Sequence, residues 1–233
     1  MFSQTFRALG IRARPHVVAA FSLGGLFMNP ARHSSSTAYL LRTPPSSAPR
    51  EVPTPLVFAS SSSWDANSRT GMSAFASWYA ERGYTCLEID LGKPEGAATS
   101  EALMSKYESE LASHIRLLAI PFAPVIVSRA GGTLIAQTYI SSHPATGLLL
   151  ISPPSSNAAA PPSLLPTPLP EFDFEARFPC AVMCTEAETA QLAEGNRLWQ
   201  DPAVDKIVVQ DEAAIVGQDG VVKIEQWLDD LGI

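Results

Sequence analysis

Beyond the first fifty residues, apolar positions alternate between two rhythms. Short continuous runs at 56–59, 84–91, 124–127, 148–152, 180–184 and 206–209 read as strands buried on both faces. Between them the spacing changes to three and four. Residues 72–82 carry apolar side chains at 72, 75, 76, 78 and 79, and Gly83 provides the stop. Residues 100–118 place Leu103, Tyr107, Leu111, Ile115 and Leu118 on one helical face, with Ser100 as the expected N-cap. Further helices are predicted over 130–140, 189–200 and 221–231. Buried strands alternating with helices predict an α/β fold, a doubly wound and mostly parallel sheet with helices on both faces. Residues 153–179 break the rhythm: eight prolines and no clear period make them an irregular excursion.

The N-terminal fifty residues follow neither rhythm. They hold six arginines (7, 12, 14, 32, 42 and 50), no lysine and no acid. Residues 1–34 have the composition of a mitochondrial transit peptide, with Phe2, Phe6, Leu9 and Ile11 interleaved with Arg7, Arg12 and Arg14. Arg32 stands just before the Ser34-Ser35-Ser36 cluster, as at a matrix-processing site. A mitochondrial location follows as the expectation, in the matrix or at the inner membrane. Residues 17–28 are an uncharged run of 12 behind the arginines, so a secretory signal peptide and an unprocessed membrane-associated arm are the alternatives. That run falls short of the roughly 20 residues a bilayer span needs. Residues 35–54, with prolines at 44, 45, 49 and 53, read as a linker to a domain at 55–233.

Charge narrows the partners. All 23 acidic residues lie beyond position 50 beside the ten remaining basic ones, which leaves that stretch at −13. So acidic a body lacks the clustered cations that hold a phosphate backbone, and nucleic acid is excluded as a partner. Cys86, Cys180 and Cys184 are odd in number and lack framework spacing, as expected in a reducing compartment. Cys180 and Cys184 share one side of a strand and read as small buried hydrophobes. There is no glycine-rich phosphate loop and no metal-ligand spacing, so neither cofactor nor metal is expected.

The segment Val125-Ile126-Val127-Ser128-Arg129-Ala130-Gly131-Gly132-Thr133 resembles the nucleophile elbow of the α/β-hydrolase family, and the order of elements over residues 55–233 resembles that family's order. The resemblance implies a strand turning sharply into a helix around an exposed nucleophile, with residues 153–179 as a small cap. In the family the motif reads Gly-x-Ser-x-Gly-Gly. Aligning the two glycines on Gly131 and Gly132 puts Arg129 in the nucleophile position and Val127 in place of the first glycine. A permanently protonated guanidinium cannot attack a carbonyl. The register shifted by one makes Ser128 the nucleophile of an active esterase or thioesterase, with Glu186 or Glu188 as the orienting acid.

The family also places a base in the loop before the last helix, and residues 210–220 contain no histidine. The four histidines are His16, His33, His114 and His143. The oxyanion loop corresponds to Ala59-Ser60-Ser61-Ser62-Ser63-Trp64, whose backbone N–H groups remain able to donate. The expectation is a catalytically degenerate hydrolase fold acting as a binding or assembly component. Arg129, Gly131, Gly132, Ser60 and Ser61 would then bind a small acyl or anionic ligand, or the surface a protein partner. Arg129 paired internally with Asp90 or Glu186 is the alternative at the elbow, and acid–base chemistry through Asp90, Glu186 or Arg129 is a third course.

Overall fold

The computed structural model describes residues 36–118 and 122–233. The transit-peptide reading of 1–34, with His16 and His33, lies outside the described residues. Among the described residues seven strands form one sheet: β1 (Ala38–Arg42), β2 (Val52–Ser60), β3 (Tyr84–Asp90), β4 (Val125–Arg129), β5 (Gly147–Ile151), β6 (Cys180–Thr185) and β7 (Asp205–Val209). Their order is β1-β3-β2-β4-β5-β6-β7, and every neighbouring pair is parallel except β1 with β3. Helices α1 (Met72–Glu81), α2 (Ser100–Leu117), α3 (Gly132–Ile140), α4 (Thr189–Gly195), α5 (Arg197–Gln200), α6 (Glu212–Val216) and α7 (Gln218–Asp230) supply the crossovers. None is long and apolar enough to cross a membrane.

The core splits by strand alternation, since successive side chains point to opposite faces. Val57, Leu87, Ile126, Leu148 and Val182 pack against Leu103, Tyr107 and Leu111 of α2 and Leu134 and Ile135 of α3. Leu56, Phe58, Val127, Leu149 and Met183 pack on the other face against Phe75 and Tyr79 of α1 and Ile224, Trp227 and Leu228 of α7. Both faces are covered, as continuous apolar strands require. Cys180 and Cys184 share the first face and Cys86 the second; burial pushes all three thiols up to about 12, which keeps them protonated and unreactive.

Local differences from the sequence reading have identifiable causes. The stretch read as a linker supplies β1 and the start of β2: Val52 pairs with Tyr84, and the proline at 53 is tolerated where the register shifts before Leu56. The N-cap of α2 is Thr99, whose hydroxyl accepts from Ala102 N at 3.2 Å, and not Ser100, whose buried hydroxyl donates to Thr167 O. The helix expected over 189–200 breaks at Asn196, whose extended backbone and side chain cap α5 through Trp199 N. The excursion 153–179 holds only a 3-10 turn at Asn157–Ala159 and packs Leu164, Leu165, Leu169, Phe172 and Phe174 onto the core.

Candidate functional site

Strand β4 leaves the centre of the sheet at Arg129 and enters α3 three residues later. Only a sharp turn connects them, and the strain falls on one residue: Ala130, with φ +48°. A non-glycine residue in the left-handed region persists only where its surroundings fix it. Here Ala130 N donates to Ile151 O at 2.9 Å, while Thr133 N and Oγ1 donate to Ala130 O at 3.1 and 2.6 Å. The apex is therefore Ala130, and the register inferred from the two glycines is off by one. Arg129 lies within the strand, not at the position from which a nucleophile projects.

The corrected register also explains the glycines. Gly132 closes the motif: a Cβ there would stand 2.7 Å from Ser128 Oγ and 3.2 Å from Ser68 Cβ. Ser128 takes the first-glycine place and is tolerated because its buried hydroxyl donates to Ala59 O at 2.8 Å. That contact holds Ser128 inside the sheet and away from the apex, so the alternative reading of Ser128 as nucleophile is not what the geometry offers. Gly131 follows the apex, and a Cβ on it would meet Asp65 Oδ2 at 2.7 Å and Leu164 Cδ1 at 3.0 Å. The space above the turn is filled by this chain's own side chains.

Asp65 is the main occupant. Its Oδ2 accepts the Gly131 N–H at 2.7 Å, while Oδ1 accepts Asn67 N at 3.1 Å and caps the 3-10 turn Ala66–Arg69. The N–H following a nucleophile is the donor an elbow presents to an oxyanion. In this chain a carboxylate already holds it. Trp64 Nε1 donates to Leu164 O at 2.9 Å and pins the proline-rich segment over the same place.

The serine loop is likewise consumed internally. Ser60 Oγ donates to Ile89 O and Asp90 Oδ1, both at 3.2 Å. Ser61 N donates to Ser68 Oγ at 3.0 Å, and Ser61 Oγ donates to Leu91 O at 2.8 Å and meets the Tyr107 hydroxyl at 2.9 Å. Burial pushes the Tyr107 phenol up, so it stays neutral in that contact. Ser62 N donates to Asp90 Oδ1 at 2.7 Å, and Arg69 closes the cluster at 3.0 Å from Asp90 Oδ2. Neither Ser60 nor Ser61 offers a free hydroxyl to a ligand.

Arg129 is buried and its counter-ion is neither Asp90 nor Glu186. One guanidinium nitrogen donates to Thr70 O at 3.2 Å and the other pairs with Glu212. Glu212 opens α6 in the loop where the family keeps its base, so the position next to the turn holds an ion pair. Glu186 is exposed at the end of β6. Glu188 Oε2 accepts from Thr185 N at 2.7 Å, Thr185 Oγ1 at 2.9 Å and Ser152 Oγ at 3.2 Å, so this acid orients a turn. His114 and His143 lie along α2 and past α3, against Tyr39 and Tyr139. The structure brings Arg129, Gly131, Gly132 and the serine loop together and leaves Glu186 outside. Sequence reasoning missed Ala130, Asp65, Leu164 and Glu212; a small residue directly before two glycines was the available signal for the first.

No protein-family model and no curated protein matches the chain. Solved structures do. An α/β-hydrolase enzyme from the metagenome of sediments of the Mar Chica lagoon, Morocco, superposes with a TM-score of 0.62 at 11% identity, over 85% of this chain and 97% of that one. An epoxide hydrolase from Bacillus megaterium gives 0.61 at 9% identity over 84% and 97%. An esterase from Thermogutta terrifontis gives 0.59 at 13% identity over 84% and 93%. The chain has the α/β-hydrolase fold.

Proposed function

We propose that this chain is a catalytically silent protein on an α/β-hydrolase scaffold, acting in mitochondria as a binding or assembly component. The carrying observation is Ala130 at the strained apex, with the neighbouring Gly131 N–H held by Asp65. Triad chemistry needs a nucleophile, a base and free oxyanion donors acting as a unit. A methyl group stands in the first place, a carboxylate fills the third, and Glu212 occupies the loop of the second. Function resides in a site rather than in a scaffold, so neighbours that hydrolyse esters or epoxides do not carry their activity here. The satisfied charge of Arg129 supports a protein partner over a small anionic ligand.

A fluorophosphonate probe tests the silent reading. The purified full chain is expected to stay unlabelled, and Ala130→Ser to stay unlabelled too, because among the described residues the two histidines, His114 and His143, stand against Tyr39 and Tyr139 and not at the turn. Labelling of the unaltered chain that disappears in Ser128→Ala would reinstate the esterase reading, which the solved enzymes of this fold favour. The mitochondrial part rests on residues 1–34 and has its own assay. Import of the full chain into isolated mitochondria, with loss of a segment ending near 31–36, is the expected result; retention outside with the arm intact would refute it.

A further inference from the structure

The two edges of the sheet are built differently. At β7 the exposed positions are the charged Asp205 and Lys206, and Lys223 Nζ covers the Val208 carbonyl at 2.8 Å. Charges on an edge strand are a standard defence against pairing with another chain. At β1 the sequence is Ala-Tyr-Leu-Leu-Arg, and among the described residues it has a partner on one side only, β3. Tyr39 is 55% exposed, Leu40 48% and Leu41 38%. The strand contains no proline or lysine, and its one charge, Arg42, is turned to Glu88 at 3.2 Å and Ser73 at 3.2 Å. The His114 ring meets Tyr39 at 5.5 Å, and one helical turn further on Leu117 is 77% exposed, so apolar surface continues beside the edge.

We infer that β1 is a self-association edge, pairing antiparallel with β1 of a second copy about a two-fold axis at Leu40. An isologous contact needs a surface complementary to itself. In this register Leu40 meets Leu40 and Tyr39 meets Leu41, apolar against apolar on both faces of the joint. Charge selects the same occupant. A body at −13 repels its copy over most of its surface, whereas residues 36–50 contain no acid at all. The Glu88 carboxylate behind the strand is neutralised by Arg42 and by Arg69. A basic partner would find its counter-charges elsewhere, not here. A five-residue strand with flanking leucines is a small interface, so the dimer depends on concentration.

Sedimentation of the full chain between about 1 and 100 μM tests this, because a small interface corresponds to micromolar dissociation. A monomer–dimer equilibrium is expected, together with β1 amides whose hydrogen exchange slows as concentration rises. Leu40→Lys and Leu41→Lys, at exposed positions, should each weaken association by about tenfold or more, since an edge lysine opposes strand pairing. Val222→Lys, at an exposed apolar position on α7, should leave it unchanged. A monomer at every concentration overturns the proposal. So does a dimer indifferent to both β1 variants, which would use another face. Protection in a monomer of the outward-facing β1 amides, those not bonded to β3, would mean that the chain's own residues cover the edge, and that result overturns it as well.

Discussion

Two neighbouring strand ends carry the same unusual backbone and opposite chemistry. Ala130 after β4 has φ +48° and Ser152 after β5 has φ +45°. Each is held the same way, its N–H donating across to the next strand: Ala130 N to Ile151 O at 2.9 Å, Ser152 N to Met183 O at 2.8 Å. Ser152 keeps a hydroxyl, and that hydroxyl donates to a carboxylate, Glu188, at 3.2 Å. Ala130 has only a methyl group, and it is the N–H of the next residue, Gly131, that Asp65 holds. The strain is thus a property of how this sheet turns at its C-terminal rim, imposed by cross-strand bonds whatever side chain is present. A left-handed residue at a strand end marks a turn worth inspecting, and the side chain alone decides whether chemistry is possible there.

The largest effect expected near these two turns comes from the ion pair beside the first. Arg129 is 6% exposed at its side chain and Glu212 63%. Removing the acid strands a buried guanidinium; removing the arginine returns a carboxylate to water. Glu212→Ala should therefore cost about 2 kcal/mol, below the range for fully buried pairs because water reaches the glutamate side. Arg129→Leu should cost about 1 kcal/mol or less, since an apolar side chain can fill the vacated space. Urea denaturation of both variants measures the order. Equal losses, or a larger loss in Arg129→Leu, would mean that the arginine stabilises by packing and not by needing its counter-ion.

The same contrast explains what was legible in the sequence. Parallel strands buried on both faces leave continuous apolar runs, so β2 to β6 and the crossover helices stand out from spacing alone. β1 did not: it lies on an edge, its side chains are exposed, and the prolines after it resemble a linker. At the site, the lack of a histidine in residues 210–220 could be read directly, because it holds in any register. The identity of the apex could not, since Gly131 and Gly132 offer two alignments and only φ chooses between them. Asp65 and Glu212 reach the turn from 65 and 82 residues away in sequence. Their roles arise from the crossover topology, which pattern does not encode at the level of single side chains.

The smallest expected effect separates the two strained turns themselves. A left-handed alanine costs roughly 1 kcal/mol relative to glycine in the folded state, part of which glycine loses again through its freer unfolded chain. Ala130 uses its backbone for every hydrogen bond it makes, so Ala130→Gly should leave stability unchanged or raise it by up to about 0.5 kcal/mol. Ser152→Gly relieves the same strain but deletes the hydroxyl that donates to Glu188, a bond worth about 1 kcal/mol, and should come out destabilised by about 0.5 kcal/mol. Thermal unfolding of the two glycine variants side by side reads the difference in sign. If both gained equally, the Ser152–Glu188 bond would contribute nothing and the two strand ends would be equivalent; if both lost, the left-handed conformation would carry no strain at either.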